Sequence, residues 1–299
     1  MTVAEIEHPY RVEKAYTLEE ARQYCERLAK SHYENFIVSS VFCPRPLRKH
    51  FYHIYTYCRI SDDLGDEIDD PQKSLILLDW WEEELDAMYA GRPCHPAFVA
   101  LEETVKEFQI PAAPFRNLLK AFRQDQILTR YPSYEDLLDY CVYSANPVGQ
   151  LVLYLCGYRD EERFALSDKT CTALQLANFW QDVTRDIEKN RVYIPLDDME
   201  RFGVKEEWLR ERKFTPEFAN LMRFEVERTH ILFKEGLKLC DTVNKRVRLD
   251  VEMFSRGGLE VLRRIEAQGY DVLTKRPSIP KSRQVAMLFG RLLSGMTAR

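Results

Sequence analysis

A chain of 299 residues, 45% apolar and 30% charged, has material for a substantial buried core and is neither disordered nor fibrous in composition. Its formal net charge of −5 argues against a nucleic-acid partner, because a phosphate polymer is met by a basic surface. Eight cysteines stand singly, with no pair at CxxC spacing, which argues against a zinc site and fits free thiols in a reducing, cytoplasmic setting.

The opening MTVAEIEHPY lacks the basic start and apolar run of a signal peptide, and no apolar run nears the roughly 20 residues of a spanning helix. Thr17-Leu18-Glu19-Glu20 is a capping box, followed at helical spacing by Leu18, Ala21, Cys25, Leu28 and Ala29. Pro46 suits the first turn of a helix carrying Leu47, Phe51, Ile54 and Cys58. Further helices are predicted over 71–90, 96–109, 112–128, 133–156, 167–189, 215–243 and 247–269. Pro147 is expected to kink the helix over 133–156. The breaks are short and β-patterns are scarce, so one all-α domain over 1–299 is predicted, with its core at about 17–275. In the tail, 276–299, Val285, Leu288, Phe289, Leu292, Leu293 and Met296 line one side, with Lys281, Arg283, Arg291 and Arg299 around them. Such a basic amphipathic helix suits peripheral contact with an anionic membrane, and equally packing against the domain or a second subunit.

Two segments carry chemistry. In Tyr55-Thr-Tyr-Cys-Arg59-Ile-Ser-Asp62-Asp63-Leu-Gly-Asp66, the residues Tyr55, Arg59, Asp62 and Asp66 share a helix face. Two carboxylates one turn apart repel unless a cation lies between them, and magnesium takes oxygen ligands while leaving positions for water and phosphate. In Gln175-Leu-Ala-Asn178-Phe-Trp-Gln-Asp182-Val-Thr-Arg-Asp186, the residues Gln175, Asn178, Asp182 and Asp186 fall within about 80° of one another. Their apolar neighbours predict an internal stripe, and a purely structural core helix has no reason to bury two acids and two amides. One DxxxD alone is ordinarily a solvated face; two, each extended by aligned polar residues and flanked by Arg59, Arg185 and Arg191, point to a diphosphate held by metal ions and arginines. His8, His50, His53, His95 and His230 show no ligand spacing and are given no role.

These residues resemble the squalene/phytoene synthase family over roughly 20–275. The resemblance implies a single-domain isoprenoid synthase fold, a helical bundle in which two DxxxD motifs face each other across a deep apolar cavity and bind a Mg2+–diphosphate cluster. It implies metal binding and catalysis by Asp62, Asp66, Asp182 and Asp186, with Tyr55 and Arg59 beside them. His32 and Phe36 (in SHYENF), Tyr140, Gln175, Asn178, Arg191 and Tyr193 (in RVYIP) fall by similarity in the substrate pocket. Arg59 and Arg191 then face the diphosphate, Phe36 and Tyr55 offer aromatic faces to a carbocation, and Gln175 or Asn178 positions a water.

Within the family, HYENF, SANPVGQLVL (144–153), NFWQDV (178–183) and the RGG of 256–258 are similar to the bacterial enzymes that form hydroxysqualene in hopanoid and squalene biosynthesis. These ionise presqualene diphosphate, rearrange the cation and capture it with water; reduction falls to a separate flavin-dependent pathway partner. Members that condense two prenyl diphosphates often carry a tyrosine where Gly258 aligns. The alternatives are a head-to-head synthase, acting on farnesyl diphosphate to give presqualene diphosphate or squalene, or making phytoene or dehydrosqualene, and a non-catalytic assembly protein. Gly65 inside the first motif costs about 1 kcal/mol of helix stability relative to alanine, which packing is expected to absorb.

Overall fold

The computed structural model describes residues 3–12, 14–31 and 45–278. His32, Phe36 and the amphipathic stretch Val285–Met296 lie outside them. The chain divides into two compact units, residues 1–128 with 140–168, and residues 129–139 with 169–299.

In the first unit α1 (Leu18–Ser31) opens on the predicted capping box. The Glu20 amide donates to Thr17 Oγ1 at 3.3 Å and the Thr17 amide donates to Glu20 Oε2 at 2.9 Å. Ala21, Cys25 and Ala29 make a buried stripe of small residues along it. Next come α2 (Arg45–Asp66), α3 (Pro71–Tyr89), α4 (Pro96–Phe108) and α5 (Ala113–Gln124). Asp70 caps α3 by accepting from the amides of Gln72 and Lys73, with Pro71 in the first turn. Tyr57, Ile60 and Leu64 of α2 are buried against Leu77, Trp81, Phe98 and Phe115. The polar atoms of this core are paired: Trp81 Nε1 donates to Ser61 Oγ at 3.0 Å, and the Tyr57 hydroxyl donates to the Phe115 carbonyl at 2.9 Å.

The helix predicted over 133–156 is two helices, α6 (Tyr134–Ser144) and α7 (Asn146–Leu155). The break falls at Ala145 because Pro147 occupies the first turn of α7, where its missing N–H costs nothing. The next helix, α8 (Glu161–Glu188), begins six residues before the expected start, as the polar first turn Glu161-Glu162-Arg163 hides its start from an apolar pattern. Helices α6 and α8 each contribute residues to both units.

The second unit adds α9 (Leu196–Arg201), α10 (Glu206–Arg210), α11 (Pro216–Gly236) and α12 (Lys245–Ala267). The first two are too short to show a period in sequence. The helix predicted over 215–243 ends at Gly236 and tightens into a 3-10 turn, Leu237–Asp241. Any Cβ at Gly236 would lie 2.3 Å from Thr170 Oγ1, so glycine is what lets the end of α11 approach α8. Among the described residues the single β-element is an isolated bridge between Arg130 and Val192. No described helix is long and apolar enough to cross a membrane.

Candidate active site

Helix α2 is unbroken across the first motif, so Tyr55, Arg59, Asp62 and Asp66 share the face that their spacing predicts. All four are partly exposed, while Tyr57, Ile60 and Leu64 on the other side are fully buried. Asp62, with 49% of its side chain exposed, has its pKa pushed up to about 6, first by burial and then by Asp66 one turn on. Arg59 Nη1 stands 3.6 Å from Asp62 Oδ2, and its Nη2 pairs with Asp63. The buried Nε of Arg59 has no acceptor among the described residues.

Gly65 sits where α5 presses on the motif. An added Cβ would lie 3.0 Å from Phe122 Cδ1, and Gln126 Nε2 donates to the Gly65 carbonyl at 2.8 Å. The end of α5 and the turn after it thus hold the end of α2, and Asp125, the C-cap of α5, accepts the Tyr140 hydroxyl at 2.8 Å. Tyr140 is itself buried, so this residue is tied to the same end of α5 that supports the first motif.

The second motif departs from expectation in one respect. Gln175, Asn178, Asp182 and Asp186 do share a face of α8, but the stripe is open: Asn178 is exposed and the other three are half-buried. The buried face is apolar, with Ala173, Leu176, Ala177 and Trp180. Asp182 is paired with Arg276, whose Nε and Nη2 both reach its carboxylate, the latter at 3.0 Å. Gln181 locks this arrangement, accepting from Arg276 Nη2 at 3.1 Å and donating to the Pro277 carbonyl at 2.7 Å. Arg185 Nε lies 3.7 Å from Asp182. Arg276 is a site residue that pattern reading missed, since nothing in the local sequence of 274–278 marks it.

Beyond α8 the chain turns at Asn190, in the left-handed region at φ 59°, and the Arg191 amide donates to the Asp186 carbonyl at 2.8 Å. Arg191 therefore follows the second motif within one turn. Arg130 fastens this loop: its guanidinium donates to the Asn190 carbonyl at 2.5 Å, to Asn190 Oδ1 at 3.1 Å and to both Glu206 oxygens at 2.7 and 2.8 Å. Tyr193 is buried with its ring stacked on Phe179 at 3.8 Å and on Tyr131 at 5.6 Å.

The donor set of the first motif suits a hard cation: two carboxylates one turn apart on a partly open face, one of them held above its ordinary pKa by burial and by the other. No cluster of three acids, histidines or cysteines converges among the described residues. The cavity of about 620 Å³ in the first unit is elsewhere, between the N-terminal arm and Trp80, Glu84 and Val99, and includes no motif residue.

A sequence model of the squalene/phytoene synthase family matches residues 29–283. The chain belongs to this family. As a squalene/phytoene synthase family member it is an isoprenoid-biosynthesis enzyme, and its fold is the all-α isoprenoid synthase fold. The crystal structure of squalene synthase HpnC from Alicyclobacillus acidocaldarius is 45% identical in sequence, with a TM-score of 0.82 over 85% of this chain and 95% of that one. A dehydrosqualene synthase in complex with ligand is 25% identical, with a TM-score of 0.83 over 94% of this chain and 98% of that one. The 15-cis-phytoene synthase of Synechocystis sp. is 30% identical over 294 residues, spanning 91% of this chain and 84% of its own.

Gly258, singled out in the sequence, is closely packed. It lies in the middle of α12, where a Cβ would meet Phe233 Cζ at 2.3 Å and Leu174 Cδ2 at 2.9 Å. The ring of buried Phe233 already fills the volume that a larger side chain would need.

Proposed function

We propose that the protein ionises presqualene diphosphate, rearranges the resulting carbocation and captures it with water as hydroxysqualene. The observation that carries this reading is Gly258. Condensing members of the family often carry tyrosine there, and here Phe233 and Leu174 leave no room for one. The 45% identity to HpnC, a squalene synthase, against 30% and 25% for the phytoene and dehydrosqualene synthases, supports a place on the squalene side of the family.

Asp62, Asp66, Asp182 and Asp186 would hold Mg2+, which when bound supplies the charge that offsets the departing diphosphate. The arginines act on the same leaving group: Arg59 has a buried Nε with no acceptor among the described residues, and the Arg191 amide is bonded to the Asp186 carbonyl. The C–O bond breaks with its electron pair going to diphosphate; after rearrangement, water adds to the cation and one proton is lost. The half-buried Tyr55, and Phe36 by sequence, present aromatic faces to the cation. Half-buried Gln175 or exposed Asn178, on the stripe that leads to Asp182, orients the water.

The reading is tested by turnover of presqualene diphosphate with Mg2+ in 18O-labelled water. Hydroxysqualene carrying one 18O atom supports it; an unlabelled hydrocarbon, or no conversion, contradicts it. Head-to-head condensation of two prenyl diphosphates is the second reading, favoured by the length of the match to the Synechocystis phytoene synthase.

A further inference from the structure

The reading above leaves the N-terminal arm unused, yet one of its side chains enters the first motif. The Tyr10 hydroxyl donates to Asp63 Oδ2, and Arg59 Nη2 donates to Asp63 Oδ1. Asp63 is 8% exposed, and each of its oxygens has its own donor. It stands beside Asp62 in sequence, but these bonds draw it into a different task from the two motif acids.

The arm is itself held in place. His95 is fully buried among Tyr24, Trp80, Trp81 and Phe98. Its Nδ1 accepts from the Ala97 amide at 3.2 Å, so the neutral ring carries its proton on Nε2. That proton is donated to the Tyr10 carbonyl at 3.1 Å. Burial pushes the His95 pKa down to about 4, which keeps this tautomer in place at neutral pH. The backbone of Tyr10 is therefore pinned from the start of α4 while its phenol reaches α2.

Arg59 is where this chain of contacts ends. With Asp63 removed or turned away, the carboxylates left to its guanidinium are Asp62, already 3.6 Å from Nη1, and Asp66 at i+7. Pairing there would neutralise the carboxylates assigned to metal. Held on Asp63, the guanidinium keeps its buried Nε for another acceptor.

We propose that Tyr10 is a positioning residue for the leaving-group end of the site: through Asp63 it holds Arg59 off the metal-binding acids and ready for a diphosphate oxygen. The inference rests on the diphosphate site proposed above. Its test is Mg2+-dependent binding of inorganic pyrophosphate to the full chain, by calorimetry, in a cycle of Tyr10→Phe, Arg59→Ala and the double variant. Tyr10→Phe keeps the ring and is expected to weaken binding roughly fivefold, less than a direct hydrogen bond to a charged group is worth, because the tyrosine acts through Asp63. Arg59→Ala weakens it more, and adding Tyr10→Phe then costs nothing further, because the tyrosine acts through the arginine. Asp63→Ala, which approaches the same link from α2, reproduces the loss and its dependence on Arg59. Unchanged affinity in Tyr10→Phe, or the same fivefold loss in the Arg59→Ala background, overturns the inference while leaving the diphosphate site intact. Unchanged affinity in Arg59→Ala overturns that site and the inference with it.

Discussion

On α2 the acids of the first motif are answered locally: Arg59 lies on the same helix, one turn before Asp62 and Asp63, and Tyr10 reaches Asp63 from the N-terminal arm. On α8 the corresponding acid, Asp182, is answered by Arg276, 94 residues along the chain. The consequence is electrostatic. Asp62 meets Arg59 Nη1 at 3.6 Å, yet burial and Asp66 push it up to about 6; Asp182 takes two contacts from the Arg276 guanidinium, with which a metal bound there would compete. Two motifs with one spacing would thus meet a divalent cation from different starting states.

The largest test of this contrast removes the acids. Asp62→Ala and Asp182→Ala are each expected to lower turnover by about a thousandfold, as both stand at the diphosphate in the proposed site. A large loss at Asp62 with normal turnover at Asp182 would leave the second motif a structural ion pair. Next in size are the tight glycines. Gly258→Ala is expected to destabilise by about 2 kcal/mol, since buried Phe233 and Leu174 must both move. Gly65→Ala is expected to cost less, about 1 kcal/mol, because helix propensity offsets part of the contact with Phe122. Urea denaturation midpoints check both.

Smaller effects separate the motifs directly. Arg276→Ala takes a competing cation from Asp182, so Mg2+ alone should bind roughly two- to fivefold more tightly, read by calorimetry without pyrophosphate. Asp62 adds a pH signature. Its folded pKa is raised, so the folded protein keeps a proton that the unfolded chain has lost between about pH 4 and 6. Stability from this group therefore falls as pH rises through that window, and Mg2+ must displace the proton below about 6. The rise in Tm on adding Mg2+ should be smaller at pH 5 than at pH 7, and Asp62→Asn should remove the difference.

What could be read in the sequence follows the same division between local and distant. The capping box at Thr17, the α2 face with Arg59 and Asp62, and the α8 face with Asp182 are all local periodicities, and the structure keeps them. The cost of Gly65 was visible, whereas its reason, the approach of Phe122, was not. The stripe on α8 was expected to be internal because its neighbours are apolar; those neighbours are buried on the opposite side, which leaves Asn178 open. Tyr10, His95 and Arg276 carried no motif, because what they do depends on segments brought together only by folding. His95 shows the limit well: a histidine without ligand spacing is both the cap of α4 and the pin of the arm.

The central claim, loss of diphosphate followed by water capture, is tested most directly by mass-spectrometric product analysis. The full chain would be given presqualene diphosphate or farnesyl diphosphate with Mg2+, with and without NADPH, beside an Asp62→Ala/Asp182→Ala control. The account predicts hydroxysqualene from presqualene diphosphate, independent of NADPH and absent in the control. A condensed product from farnesyl diphosphate, with presqualene diphosphate never converted to the alcohol, would contradict it.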